Sequence, residues 1–204
     1  MNHLAISGLA ERPYWVFDLD GTLTVPVHDF NAIRSELGIP VGDDILGYLA
    51  SIPEEQSIKL HGRLQEIELG LAGVTTASEG ALELLDRLYS SGARLGVLTR
   101  NTRENALRTL EMIGLGGHFH PDAVVGRENA LPKPDPDGIL RLAAAWGASS
   151  IEVVMVGDYL FDLQAGRAAG AMTVHVDPHY NFRWPELTDL AVGSLAELAG
   201  YIQI

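Results

Sequence analysis

The chain has 204 residues, with 14 Lys+Arg against 27 Asp+Glu and a formal net charge of −13. That length suits one domain, or one domain carrying a small insertion, and 47% hydrophobic with 20% charged residues excludes a disordered chain. The charge argues against a nucleic-acid backbone or an anionic membrane surface as partner, because both would be repelled. The absence of cysteine removes disulfide frameworks, thiolate zinc sites and Cys nucleophiles. Only two of the cations are lysines, Lys59 and Lys133. The apolar stretch from Leu4 to Ala10, broken by Ser7 and Gly8 and preceded by no Lys/Arg-rich start, does not read as a signal peptide. No apolar run reaches the roughly 18 residues that would span a bilayer. A cytoplasmic location is expected.

In chain order, short apolar runs alternate with helical patterns. Tyr14-Trp15-Val16-Phe17 is a run that ends abruptly in Asp18. The stretch from about Val25 to Ala77 carries no strand signal. It reads as a small helical insertion, with short helices over 29–37 and 44–50 and a longer one over 53–71 whose Ile58, Leu64, Ile67 and Leu71 share a face. A helix opened by Ser78 or Glu79 then sets Leu82, Leu85 and Leu88 inward. The run Leu95–Leu98 ends at Thr99, and Thr102 caps a helix with Ala106, Leu107, Leu110 and Ile113 inward, stopped by Gly114. Ala123–Val125 is a third run. Asp135, with Pro136 at the first helical position, opens a helix ending near Gly147. Val153–Val156 is a fourth run, followed by a helix over 160–169 closed by Gly170, and Thr173–Val176 is a fifth. Trp184-Pro185 reads as turn packing, and 195–202 as a terminal helix. Continuous apolar runs suit strands buried on both faces of a parallel sheet. Their alternation with helices predicts a doubly wound α/β fold.

The chemistry begins at Asp18-Leu19-Asp20-Gly21-Thr22, directly after the first run. Asp and Gly are also common turn residues. Two carboxylates two residues apart at the end of a buried strand do more, because like charges this close push their pKa values apart. One can then serve as nucleophile or metal ligand while the other carries a proton. Gly21 permits an unusual backbone conformation, and Thr22 offers an N–H and a hydroxyl to an oxyanion. A second acidic pair, Asp158 and Asp162, is spaced by about one helical turn at the end of the fourth run. On its own, Asp158 could simply cap a helix. Beside the first motif, several carboxylates converging on one point call for a cation, and an oxygen-only ligand set indicates Mg²⁺. Thr99-Arg100-Asn101 ends a strand with a hydroxyl and free N–H groups before a helix, a place suited to phosphate. Lys133, in Leu131-Pro132-Lys133-Pro134-Asp135-Pro136, is a point charge held in a stiff loop.

With these motifs in order, the sequence resembles the haloacid dehalogenase superfamily. The likeness is to its phosphatase-like branch of phosphoglycolate phosphatases and β-phosphoglucomutases, and it runs from about Tyr14 to Pro178. The resemblance implies a Rossmann-like three-layer parallel sheet of order 5-4-1-2-3. The core would be residues 1–24 and 78–204, and a small helical cap would be residues 25–77. It implies a Mg²⁺-dependent phosphatase acting on a small phosphorylated metabolite, as a monomer or weak homodimer. Asp18 would attack phosphorus to form an aspartyl-phosphate, and Asp20 would protonate the leaving oxygen and then activate water. Mg²⁺ would be held by Asp18, the Asp20 carbonyl and Asp158, with Asp162 in support. Thr99 and Lys133 would stabilise the transferring phosphoryl group, with Gly21, Thr22, Arg100 and Asn101 also at the phosphate. Dehalogenases and phosphonate-cleaving relatives lack an acid at the position of Asp20, so the alternatives are a sugar phosphomutase and a non-catalytic binding protein. Val25-Pro26, Tyr159 and the short insertion depart from the branch's commoner pattern. A reduced cap favours water as acceptor. His28, Arg34, His61 and Arg63 in the insertion read as solvated helix residues.

Overall fold

The computed structural model describes residues 8–202, so most of the Leu4–Ala10 stretch lies outside the described residues. Six parallel strands form one sheet: β1 (Tyr14–Phe17), β2 (Arg94–Leu98), β3 (Val124–Val125), β4 (Val153–Gly157), β5 (Met172–Val176) and β6 (Leu190–Val192). Their order is β3-β2-β1-β4-β5-β6. This is the expected five-strand order with one strand added at the β5 edge. β6 is only three residues long, and the tripeptide Leu190-Ala191-Val192 carries too little pattern to announce a strand.

Burial on both faces follows from the alternation of side chains along each strand. Trp15 and Phe17 of β1 join Val97, Val154 and Val174 in one core cluster. That cluster is covered by α4 (Ala81–Ser90), α5 (Arg103–Met112) and α8 (Leu195–Gly200). Val16, Leu98 and Met155 face the other way, against α6 (Asp137–Trp146) and α7 (Leu160–Ala169). The result is a three-layer α/β fold. Three further helices, α1 (Phe30–Leu37), α2 (Ile45–Ser51) and α3 (Glu54–Ala72), lie between β1 and α4. They gather Ile33, Leu37, Ile45, Leu49 and Leu64 into a separate small core. The chain leaves and re-enters the larger unit side by side: Val25 N–H donates to Thr76 O at 2.9 Å, and Ser78 N–H to Leu23 O at 2.9 Å.

Several helix details differ from the sequence expectation. α4 starts at Ala81 behind Gly80, which has φ 79°. Shifting the start moves the inward face, so Ala81, Leu84, Leu85 and Leu88 are buried and Leu82 is exposed. On α3, Ile58 is exposed and Glu68 is buried instead, because only the C-terminal half of that helix is covered, Glu68 by Arg127. Pro136 is the N-cap of α6 rather than its first helical residue, and Asp135 Oδ1 accepts from Asp137 N–H at 2.9 Å. Thr102 caps α5 as expected, accepting from Asn105 N–H. The terminal helix stops at Gly200.

Candidate active site

The parallel pairing of β1 with β4 aligns Phe17 with Val156, and Asp18 N–H continues the ladder to Val156 O at 2.9 Å. Asp18 and Asp158 therefore emerge from adjacent strand ends at the carboxyl edge, where open α/β sheets place their sites. Gly21, with φ 97°, completes the turn after β1. A Cβ there would meet Asp158 Oδ2 at 2.7 Å, so only glycine lets the turn lie this close to the second acidic pair. Thr22 Oγ1 donates to Asp158 Oδ1 at 2.9 Å, tying the two motifs together.

Asp18, Lys133 and Asp162 are buried. The Lys133 ammonium donates to Asp18 Oδ1 and, at 2.6 Å, to Asp162 Oδ1. Asp162 also accepts from Tyr159 N–H at 3.0 Å through its other oxygen, which fixes it in the first turn of α7. Burial pushes the Asp18 carboxyl well above the ordinary aspartate range. Lys133 pulls it back, and Asp162, Asp158 and Asp20 push it further up. Burial likewise raises Asp158 to about 7, with Asp162 adding to the rise and the Thr22 hydroxyl opposing it. Burial alone would lower Lys133, but Asp162 and Asp18 outweigh it and hold the amine charged.

Asp18, Asp158 and Asp162 each offer a carboxylate oxygen within 4.8 Å of the others. One lysine cannot neutralise such a group, and a hard divalent cation suits its all-oxygen donor set. The Asp20 carboxylate lies outside that trio. It is half-buried and turned toward the cleft, where Thr99 Oγ1 approaches Asp20 Oδ2 at 3.5 Å and His28 Nδ1 lies 3.9 Å from Oδ1.

Thr99 and Asn101 are buried at the end of β2, and Asn101 N–H donates to Thr99 Oγ1 at 3.0 Å. The Asn101 side-chain carbonyl accepts from Thr102 N–H at 2.8 Å. The Arg100 guanidinium points away from Asp18 toward the start of α2. Its Nη2 donates to both Asp44 carboxylate oxygens, at 2.6 and 2.8 Å, and its Cζ sits 4.6 Å from the Phe161 ring centre. The phosphate role expected for this side chain thus competes with an ion pair already made. A cleft of about 830 Å³ connects these parts, with Asp18, Asp20, Lys133 and Asp158 at its floor and Ile33, Arg34, Asp44 and Glu68 on the side of α1–α3.

Residues passed over in the sequence matter here. His28 is not solvated: it is sheltered against Asp20 and stacked on Phe30. Glu68 of α3 forms a buried pair with Arg127, whose Nη1 donates to both carboxylate oxygens at 2.7 and 2.9 Å and to Arg100 O at 3.2 Å. The available signals were a glutamate four residues after the inward Leu64 and an arginine just past β3. Arg63, by contrast, is exposed and engages Glu36 and Glu66, as a surface residue should.

The family model for haloacid dehalogenase-like hydrolases matches residues 29–176. An uncharacterized hydrolase of Saccharomyces cerevisiae is 30% identical over 205 residues, covering 97% of this chain and 94% of its own length. A phosphoglycolate phosphatase of Chromobacterium violaceum is 31% identical, covering 89% and 92%. Among solved structures, a hydrolase from Pseudomonas syringae aligns with TM-score 0.77 at 26% identity, over 93% of this chain and 97% of its own. A β-phosphoglucomutase from Clostridium difficile aligns with TM-score 0.75 at 20% identity, over 91% and 92%, a likeness of fold.

Proposed function

The chain belongs to the haloacid dehalogenase-like hydrolase family, and on that premise we propose that it is a phosphatase cleaving a small phosphate monoester through an aspartyl-phosphate. The observation that carries this reading is the Asp18–Lys133 contact at the end of β1, with Asp20 two residues on and facing the cleft. Lys133 holds one oxygen of the Asp18 carboxylate, which leaves the other to attack phosphorus. As the Asp18–phosphorus bond forms, the ester oxygen departs and takes a proton from Asp20. Asp20, now a carboxylate, removes a proton from the water that hydrolyses the acyl phosphate and restores Asp18. Lys133 and the Thr99 hydroxyl offer fixed donors to the phosphoryl oxygens, so charge gathered in transfer meets dipoles already in place.

The residues fit Mg²⁺, with the Asp18 and Asp158 carboxylates and the Asp20 carbonyl as holders and Asp162 behind them. When bound, the ion supplies positive charge to the phosphoryl oxygens. Residues 25–77 would be the cap over this floor, consistent with their separate core. No helix among the described residues is long and apolar enough to cross a membrane.

The test is release of phosphate from p-nitrophenyl phosphate with and without Mg²⁺, for the wild type and Asp18→Asn. The wild type should turn over only with the ion, and the variant should lose about 10⁴-fold or more in kcat. No Mg²⁺-dependent turnover of any phosphorylated compound would overturn the enzyme. Conversion of glucose 1-phosphate to its 6-phosphate without free phosphate would replace the hydrolase with a mutase.

A further inference from the structure

Beyond the floor, the cleft must accommodate the alcohol that leaves, and two of the three arginines there already hold a carboxylate. Arg100 reaches the cleft with both oxygens of Asp44 on its Nη2 and the Phe161 ring against its Cζ. Arg127 stands behind Glu68 with that carboxylate taken in the same two-oxygen fashion. The third arginine of this wall, Arg34, donates from Nε to Asp43 O at 2.8 Å and from Nη1 to Asn31 Oδ1 at 3.2 Å. Asp29, the N-cap of α1, adds a carboxylate to the same wall. Two of the three arginines therefore hold carboxylates while Arg34 is held by neutral oxygens, and Asp20 and Asp29 add further negative charge to the cleft.

On the phosphatase reading above, we propose that the leaving group is an uncharged, hydroxyl-bearing alcohol of the polyol or sugar type, and that the Asp44–Arg100 pair excludes carboxylate-bearing esters. A substrate carboxylate reaching Arg100 would have to displace Asp44 and lie among Asp20, Asp44 and Glu68. Juxtaposed like charges are the ordinary means of rejecting a wrong ligand. Hydroxyl groups meet the opposite conditions, because they donate to the carboxylate oxygens that would repel an acid. Ile33, Ile45 and Leu64 line the same cleft and cover C–H surface. At about 830 Å³, the cleft also has far more room than a two-carbon acid would fill.

The experiment measures kcat/KM with Mg²⁺ for glycerol 1-phosphate and glucose 6-phosphate against phosphoglycolate and 3-phosphoglycerate, with p-nitrophenyl phosphate as reference. The better uncharged ester should exceed both carboxylate-bearing ones by about tenfold or more. Asp44→Asn keeps an acceptor for the Gly47 N–H that Asp44 caps at 2.8 Å, while releasing the charge of Arg100. It should shift the ratio toward phosphoglycolate by about tenfold. Being a ratio, this readout does not depend on the fraction of enzyme that folds. A wild type that prefers phosphoglycolate, or a ratio unmoved by Asp44→Asn, would overturn the proposal. Failure to cleave any ester, p-nitrophenyl phosphate included, would overturn the phosphatase reading and this proposal with it.

Discussion

The floor of the cleft and its cap-side wall handle charge in opposite ways. At the floor, one lysine reaches Asp18 and Asp162, and burial together with the crowding of carboxylates raises Asp18 and Asp158. At the wall, Arg100 has Asp44 and Arg127 has Glu68, each pair joining the α1–α3 segment to loops at the sheet edge. An unbalanced cluster is costly unless something binds to complete it, whereas a balanced pair is complete in itself. The contrast assigns the two regions different jobs. On the proposed reading, the floor would be organised around what is added to it, and the wall around holding α1–α3 in place and keeping further charge out. On that reading, the net charge of −13 is no bar to a phosphate ester, because binding would be decided at a floor completed by a cation.

The strongest way to break this comparison is to disable the floor alone. Asp20→Asn should reduce turnover of an alkyl phosphate by about 10²–10⁴-fold, the usual worth of a general acid and base. The loss with p-nitrophenyl phosphate should be smaller, since p-nitrophenolate leaves without needing a proton. Steady-state kinetics on both esters checks it, and equal losses would remove Asp20 from the role of acid. At the wall the effect moves from rate to stability. Arg127→Leu strands Glu68 in a buried position and should cost about 3–5 kcal/mol in urea unfolding at pH 8. Adding Glu68→Leu should recover most of that. A double variant no more stable than the single one would mean that the pair acts through shape rather than charge.

Metal removal gives a further separation. If the floor is incomplete without a cation, Mg²⁺ at 100 times its Kd should stabilise the wild type by about 2.7 kcal/mol. Asp158→Asn should abolish that gain, and Arg127→Leu should leave it intact. Thermal unfolding with Mg²⁺ and with chelator reads both. An equal Mg²⁺ response in wild type and Asp158→Asn would place the ion elsewhere.

The floor was readable in the sequence because its parts are local. Asp18 and Asp20 follow an apolar run, Asp158 and Asp162 are one helical turn apart, and Lys133 stands among prolines. Strand order followed from family likeness, and the structure repeats it with β6 added. The wall was not readable, for a physical reason. Arg127 and Glu68 lie 59 positions apart, and Arg100 and Asp44 lie 56 apart, so each pair exists only once the chain has folded. A glutamate on a helix otherwise reads as solvated. Leu82 and Ile58 misled in the opposite direction: helical spacing put them on an apolar face, but the helix start and the extent of the cap left them exposed.

The last prediction concerns Glu68 itself. Burial raises its carboxyl from the ordinary 4.5 to about 7, while Arg127 opposes the rise and Asp20 adds to it. The sign of the linkage follows from the direction of that shift. Between pH 4.5 and about 7 the folded chain retains a proton on Glu68 that the unfolded chain has released. Stability contributed by this group is therefore full below that window, falls as pH rises through it, and levels off above. Other carboxyls titrate over the same range, so the useful quantity is the difference between wild type and Glu68→Gln, which cannot titrate at this position. Urea unfolding at several pH values should show the wild type losing stability relative to the variant as pH climbs toward 7. A flat or rising difference would mean that Arg127 keeps Glu68 ionised throughout. The wall would then be a full ion pair at every pH, and its contrast with the proton-holding floor would be sharper still.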